Sequence, residues 1–227
     1  MSLLNRIANL GLGRANKNTL RPHPIPGGIK PPTHKARSLR SRIMPTPIPE
    51  RLLLVLSPEQ ASPPHLRVRE GDRVLKFQLL ADTAGDRGAA VHAPTSGIID
   101  KIAPTPVANE TRLCIQLLSD GEDEAIENSP VIDFHSLNYL ELLGIITAAG
   151  ISGSGGAGFP SWKKLQSGIE AGLEVLIINA LECEPFISCD EALIRERAEQ
   201  VVAGAEILLQ VCRAAHCVIV IEDNKAD

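Results

Sequence analysis

Residues 175–221 read VLIINALECEPFISCDEALIRERAEQVVAGAEILLQVCRAAHCVIVI, and this stretch decides the fold. Val175 to Asn179 is a continuous apolar run bounded by polar residues, as expected of a buried strand. Asp190 is placed to cap a long helix, in which Ile194, Ala198, Val201, Ala205, Leu208 and Cys212 recur every three or four residues. Cys217 to Ile221 then gives a second buried strand. Strand, long helix and strand make a βαβ unit, whose strands run parallel and whose ligands meet the C-terminal strand ends. Those ends are Asn179–Glu184 and 222–224.

Immediately upstream lies Gly153-Ser154-Gly155-Gly156-Ala157-Gly158-Phe159-Pro160, with Lys163 and Lys164 in a helix expected to begin at Pro160. Glycine permits positive φ and close backbone approach, and a helix start offers unpaired N–H groups. Gly153, Gly155, Gly156 and Gly158 are therefore candidates to wrap a phosphate, with Lys164 adding a full charge one turn into the helix. Gly153, Gly155 and Gly158 fit G-x-G-x-x-G literally, but the dinucleotide fingerprint follows a strand, and here a helix precedes it. A plain helix-to-helix linker is the other reading. The preceding helix is expected from about Ser136 to Ala149, with Leu137, Leu140, Leu143 or Gly144 and Thr147 on one face and Gly150 as its stop.

Asn179, Glu182 and Glu184 form the second constellation, two carboxylates and an amide at a parallel strand's ligand edge. Carboxylates there accept from ribose hydroxyls, and an Asn side chain both donates to and accepts from a flavin or nicotinamide ring. Solvated loop acids are the alternative reading of the two glutamates.

Further upstream, residues 119–130, SDGEDEAIENSP, are acidic and poor in apolar side chains, which marks a solvated connection. Short apolar runs at Leu52–Leu56, Gly97–Ile102 and Arg112–Leu118, separated by Gly, Pro and Asp, read as a small all-β domain. Residues 20–50 carry eight prolines, so this part is extended chain wrapped on something else. The expected divisions are a basic arm at 1–26, a proline-rich segment with the all-β domain at 27–118, an acidic linker at 119–135, and an α/β domain at 136–227.

The net charge of -4 conceals an asymmetry: residues 1–51 hold ten Lys and Arg against one acid, Glu50, while the remainder is strongly acidic. A basic arm ahead of an acidic body suits a partner subunit or an anionic membrane surface, or is a solvated tail. Residues 3–10 place Leu3, Leu4, Ile7 and Leu10 on one side of a short amphipathic helix, a hint of docking. Aromatics are only 3% of the chain, too few for a base-stacking surface, so nucleic acid is not an expected partner. The five cysteines form no C-x-x-C pair, and no Cys/His spacing matches a zinc site or an iron–sulfur ligand run, so no metal site is expected. No stretch is long and apolar enough to span a bilayer, which predicts a soluble or peripheral protein.

Taken together, GISGSGGAGFPSWKKL (150–165) and LIINALECEPFISCDEAL (176–193) resemble the flavin and NADH site of the C subunit of the Rnf (Rsx) ion-translocating electron transport complex, and more distantly the flavin subunit of respiratory complex I. GGIKPPTHK (27–35), GDRVLKFQLL (71–80) and VHAPTSGIIDKI (91–102) are similar to the N-terminal domain of that Rnf protein. The resemblance implies an α+β two-domain chain, an all-β barrel-sandwich hybrid followed by a partial Rossmann-like α/β domain with parallel strands. It implies FMN on the loop of Gly153, Gly155, Gly156 and Gly158, with Lys164 on the phosphate side and Asn179, Glu182 and Glu184 lining the flavin and NADH. Leu181 stands where complex I has an acid, a departure shared in character with the Rnf branch. HAPTSGIIDKI is also similar to biotinyl and lipoyl carrier hairpins, but the comparable turn, Asp82 to Gly88, has no lysine to modify.

The implied function is that of an oxidoreductase and translocase component, a peripheral flavoprotein on the cytoplasmic side of the inner membrane, coupling electron transfer between NADH and ferredoxin to ion movement. No acid/base catalytic residue is expected, because the cofactor carries the redox step. Members of the family extend into two four-cysteine motifs for 4Fe-4S clusters, so a chain stopping at Asp227 is expected to be cut in mid-sheet. The alternative is a non-catalytic docking or scaffold module of the same complex.

Overall fold

The computed structural model describes residues 27, 29, 31–56, 64–82, 88–127, 133–154, 158–222 and 225. They form two compact units, one from residues 46–170 and one from the described part of 27–45 together with 171–222 and 225.

The first unit is built on antiparallel strands. β1 (Arg51–Val55), β7 (Glu110–Ser119), β6 (Gly97–Val107) and β3 (Arg73–Val74) form a sheet in the order β1-β7-β6-β3, and β4 (Leu79–Asp82) lies between β2 (His65–Leu66) and β5 (Val91–His92) in a second. Alternation along the strands turns one side of each sheet inward. Leu56, Val68, Val74, Leu80, Ala81, Ala93, Ile99, Ile115 and Leu117 meet there in one core shared by both sheets. Pro104 and Pro106 fall on the part of β6 beyond its β3 pairing, where among the described residues no strand pairs with its second edge and their missing N–H groups interrupt no ladder.

The described part of the acidic stretch, 119–127, is bound along this unit rather than being a free connection, and residues 128–132 of the expected linker lie outside the described residues. Ala125 bridges Lys76 in parallel, with the Lys76 N–H donating to the Glu124 carbonyl and the Ile126 N–H to the Lys76 carbonyl. Arg73 pairs with Glu124 at 2.7 Å and Asp120 at 3.4 Å, and Lys76 with Asp123 at 2.6 Å. The Ser96 hydroxyl donates to Asp120, so the acids here zip the segment onto the β unit.

A 3-10 turn, Phe134–Ser136, precedes α2 (Tyr139–Ala148), so the α-helix starts later than the spacing predicts. Asn138 and Glu141 form a capping box that fixes this start. The buried face carries Leu142 and Ile146, while Leu140, assigned inward by its spacing, is 60% exposed.

In the second unit, α1 (Lys35–Ser38) lies in the proline-rich segment, α3 (Ser161–Ala171) leads in from the first unit, and β8 (Val175–Ala180), α4 (Cys189–Cys212) and β9 (His216–Ile221) follow. β8 and β9 pair in parallel, from Val175 opposite His216 to Ala180 opposite Ile221. Leu176, Ile178 and Cys217 pack against Val202, Ala205 and Leu209 of α4. Only that sheet face is covered among the described residues, since Val175, Ile177 and Val218 are exposed, so the strands are not buried on both sides as their apolar runs suggest. Ser188, not Asp190, occupies the α4 N-cap position, and α4 kinks at Arg197.

Candidate functional site

The glycine-rich segment is a loop with a hydrogen-bonded neck. Gly150 ends α2 at φ 67°, and a Cβ there would sit 2.0 Å from the Ala90 carbonyl oxygen, so only glycine permits this approach to the β unit. Beyond it Ser152 and Pro160 form an antiparallel bridge, the Gly153 N–H donates to Phe159 at 2.9 Å, and the Ser161 N–H donates to Ile151 at 2.9 Å. Trp162 Nε1 donates to the Gly88 carbonyl at 3.0 Å, pinning the first turn of α3. A plain flexible linker has no such closure.

Of the candidate phosphate residues, Gly153 is exposed at the neck, Gly158 is exposed at φ 59° with open space where a Cβ would point, and Lys164 is exposed on the first turn of α3. Gly155 and Gly156 lie outside the described residues. Gly158 and Lys164 therefore face solvent beside the start of α3.

Asn179, Glu182 and Glu184 belong to the second unit. The Asn179 Oδ1 accepts from the Leu181 N–H at 3.1 Å and turns the chain off the end of β8. Glu184 is exposed in the loop that follows. Glu182 is turned inward, its side chain only 1% exposed. One carboxylate oxygen accepts from the Asp190 N–H at 2.7 Å and the other from Lys225 Nζ at 2.6 Å. Burial alone pushes this carboxyl up, and the Lys225 and Asp190 hydrogen bonds outweigh it, holding the group below its usual range.

Glu182 is one corner of a charge cluster that the spacing did not reveal. Lys225 also approaches Glu222 at 3.5 Å and Glu191 at 3.7 Å, Arg195 pairs with Glu191 at 2.9 Å, and Lys35 reaches Glu222 at 3.0 Å. Lys35 also donates to the Glu182 backbone carbonyl. Among the described residues three cations thus answer three carboxylates, which is what lets Glu182 and Glu191 be buried. The Lys35 hydrogen bond is the main cause holding Glu222 low, and burial of Lys225 is outweighed by its acids, which raise it. Cys189, Asp190 and Glu182 bring ligand atoms within 4.8 Å of one another, but an ammonium already neutralises Glu182 there.

The same two regions are picked out by comparison with known proteins. Residues 23–122 match the family model described as RnfC barrel sandwich hybrid domain, and residues 146–227 match the one described as Nuo51 FMN-binding domain. The chain is 44% identical over 206 residues to the C subunit of an ion-translocating oxidoreductase complex from Vibrio cholerae serotype O1, covering 89% of this chain and 26% of that protein. It is 42% identical over 204 residues to the C subunits of the same complex from Yersinia pestis bv. Antiqua and Serratia proteamaculans, covering 88% of this chain and 33% and 29% of theirs. The chain matches the N-terminal region of the Rnf complex's C subunit.

It spans a quarter to a third of the length of these relatives. The RnfC-type β unit accounts for the all-β reading of the sequence, and the match over 146–227 covers both motifs. Among the described residues no helix is long and apolar enough to cross a membrane.

Proposed function

We propose that this chain is the FMN- and NADH-binding front part of one component of an ion-translocating electron transport complex. The observation that carries the reading is the closed-neck glycine loop, which opens into α3 with Lys164 on its first turn. Gly155, Gly156 and Gly158 would hold the FMN phosphate by backbone N–H groups, Gly153, whose N–H is spent on Phe159, would shape the neck beneath it, and Lys164 would supply a cation. Asn179 and Glu184 would meet the flavin ring and the NADH ribose, and Glu182 would serve the same edge by holding its loop in shape, since its carboxylate is already engaged. When bound, FMN supplies acceptance of a hydride from NADH and release of electrons one at a time to iron–sulfur clusters.

The residues of this chain bind, orient and exclude, and none is needed as a proton donor. The α/β layer is read as half of a Rossmann-like sheet, supported by the parallel β8–β9 pair with α4 across one face. Ion movement is taken from the relatives, C subunits of ion-translocating oxidoreductase complexes, while exchange with ferredoxin, the 4Fe-4S clusters and a peripheral place on the cytoplasmic side of the inner membrane are carried by the sequence resemblance to the Rnf complex. The basic segment at 1–26 would meet a partner subunit or the anionic membrane. Deleting residues 1–20 should weaken association in a membrane flotation assay, and unchanged association would remove that role.

A docking module without a working flavin site is the second reading, favoured by the internal use of Glu182. Flavin content of the purified full chain separates the two: stoichiometric FMN supports the first, and a folded flavin-free protein supports the second.

A further inference from the structure

We infer that residues 33–38 of the proline-rich segment form a latch that sets the loop of residues 181–188, and that Lys35 is a positioning residue for the ligand meeting that loop. The inference rests on the proposed NADH-binding role of the loop for its functional half, while its structural half stands on the contacts alone.

Three residues of the loop, Glu182, Phe186 and Ser188, are held by this distant segment. The Phe186 N–H donates to the Thr33 carbonyl at 2.8 Å, and the His34 ring stacks on Phe186 with centroids 5.0 Å apart and planes 13° apart. Lys35 donates to the Glu182 carbonyl, and Ser38 and Ser188 share a hydroxyl hydrogen bond of 2.7 Å. Farther along, the Ile43 N–H lies 3.0 and 3.2 Å from the two carboxylate oxygens of Glu196, just before the α4 kink.

Apolar burial does not fix the Phe186 half of the loop. Leu181, Phe186 and Ile187 all remain exposed, so it buries little apolar surface of its own. His34 and Phe186 sit at φ 52° and 67°, left-handed conformations that non-glycine residues avoid unless their surroundings impose them. The stacked pair and the Phe186–Thr33 hydrogen bond are those surroundings. Lys35 itself is 7% exposed, and an ammonium is buried so far only where its partners are fixed. Its two acceptors, the Glu182 carbonyl and Glu222, follow the C-terminal ends of β8 and β9, so one side chain ties together the two strand ends where a ligand would be read. Holding that edge before binding spares the ligand the cost of ordering it.

The test is hydrogen exchange and steady-state NADH oxidation with ferricyanide as the electron acceptor, on the full chain carrying Lys35→Met or Lys35→Arg. Lys35→Met should raise exchange in the 181–190 peptides by about tenfold while β6 and β7 keep their protection. It should also raise the KM for NADH about tenfold with kcat within about twofold and FMN content unchanged. Lys35→Arg should recover most of both effects. Unchanged exchange in Lys35→Met overturns the latch. Raised exchange with an unchanged KM overturns the positioning role, and so does loss of β6–β7 protection together with all activity in both variants. If the unmodified chain neither retains FMN nor oxidises NADH, the proposed function and the positioning role both fall, while the exchange arm still decides the latch.

Discussion

Replacing Gly150 with Ala should loosen the base of the glycine loop, and the cost can be worked from two contributions. The residue sits at φ 67°, and an L side chain in that region costs about 1–2 kcal/mol. The added Cβ would lie 2.0 Å from the Ala90 oxygen, where ordinary contact begins at 3.4 Å, so the two backbones must part by roughly 1.4 Å. That movement pulls on the Trp162–Gly88 hydrogen bond, worth about 1 kcal/mol net. A total near 2–3 kcal/mol corresponds to a fall in Tm of about 5–10 °C for a unit of this size. Trp162 is the chain's single tryptophan and lies at the loop's exit, so its fluorescence follows this melt directly. Gly121→Ala is the control, at φ 77° with nothing within 4 Å of its Cβ, and should lose only the conformational part. Equal losses in the two variants would refute the close approach of Gly150 to Ala90.

Gly156→Val should abolish flavin retention by crowding the phosphate loop, and an unchanged flavin absorbance in the purified variant would sink the phosphate role. Glu184→Gln should weaken NADH more than FMN in paired titrations, and equal weakening of both would remove its assignment to the nucleotide. Glu182, Glu222, Asp120 and Asp123 are all held below their usual carboxylate range, so their contribution to stability is complete above about pH 4.5 and is lost as pH falls through the depressed folded values. Glu182→Gln should cost about 3 kcal/mol at neutral pH, the low end for halving a buried pair because Lys225 keeps Glu222 and Glu191, and should flatten the acid limb of a denaturant series. A variant with the parent's acid limb would show that Glu182 is not paired as described.

The βαβ order was legible because Val175–Asn179 and Cys217–Ile221 are unbroken apolar runs around a long periodic stretch, and β8, α4 and β9 fall within a residue or two of them. The face of α2 was not, since YLELLGIITA is apolar on nearly every side and carries no phase. Capping by Asn138 and Glu141, absent from the spacing argument, sets its start instead. The acidic stretch misled because polarity was equated with solvation, whereas its partners Arg73, Lys76 and Ser96 lie 24 to 51 residues away in sequence. Lys35 stands 147 residues from Glu182, and no local pattern announces that a proline-rich segment folds back on the ligand edge. The density of glycines over 153–158 is plain in the sequence, but the hydrogen-bonded neck formed by residues 151–153 and 159–161 is a tertiary fact.

The most direct measurement is an anaerobic titration of the chain with FMN, followed by flavin fluorescence quenching, and then with NADH, followed by flavin absorbance. A chain that binds FMN and NADH should show stoichiometric quenching and bleaching of the bound flavin on NADH addition. A folded chain that leaves flavin fluorescence unchanged would contradict the flavin-binding role and leave the docking module as the function of these residues.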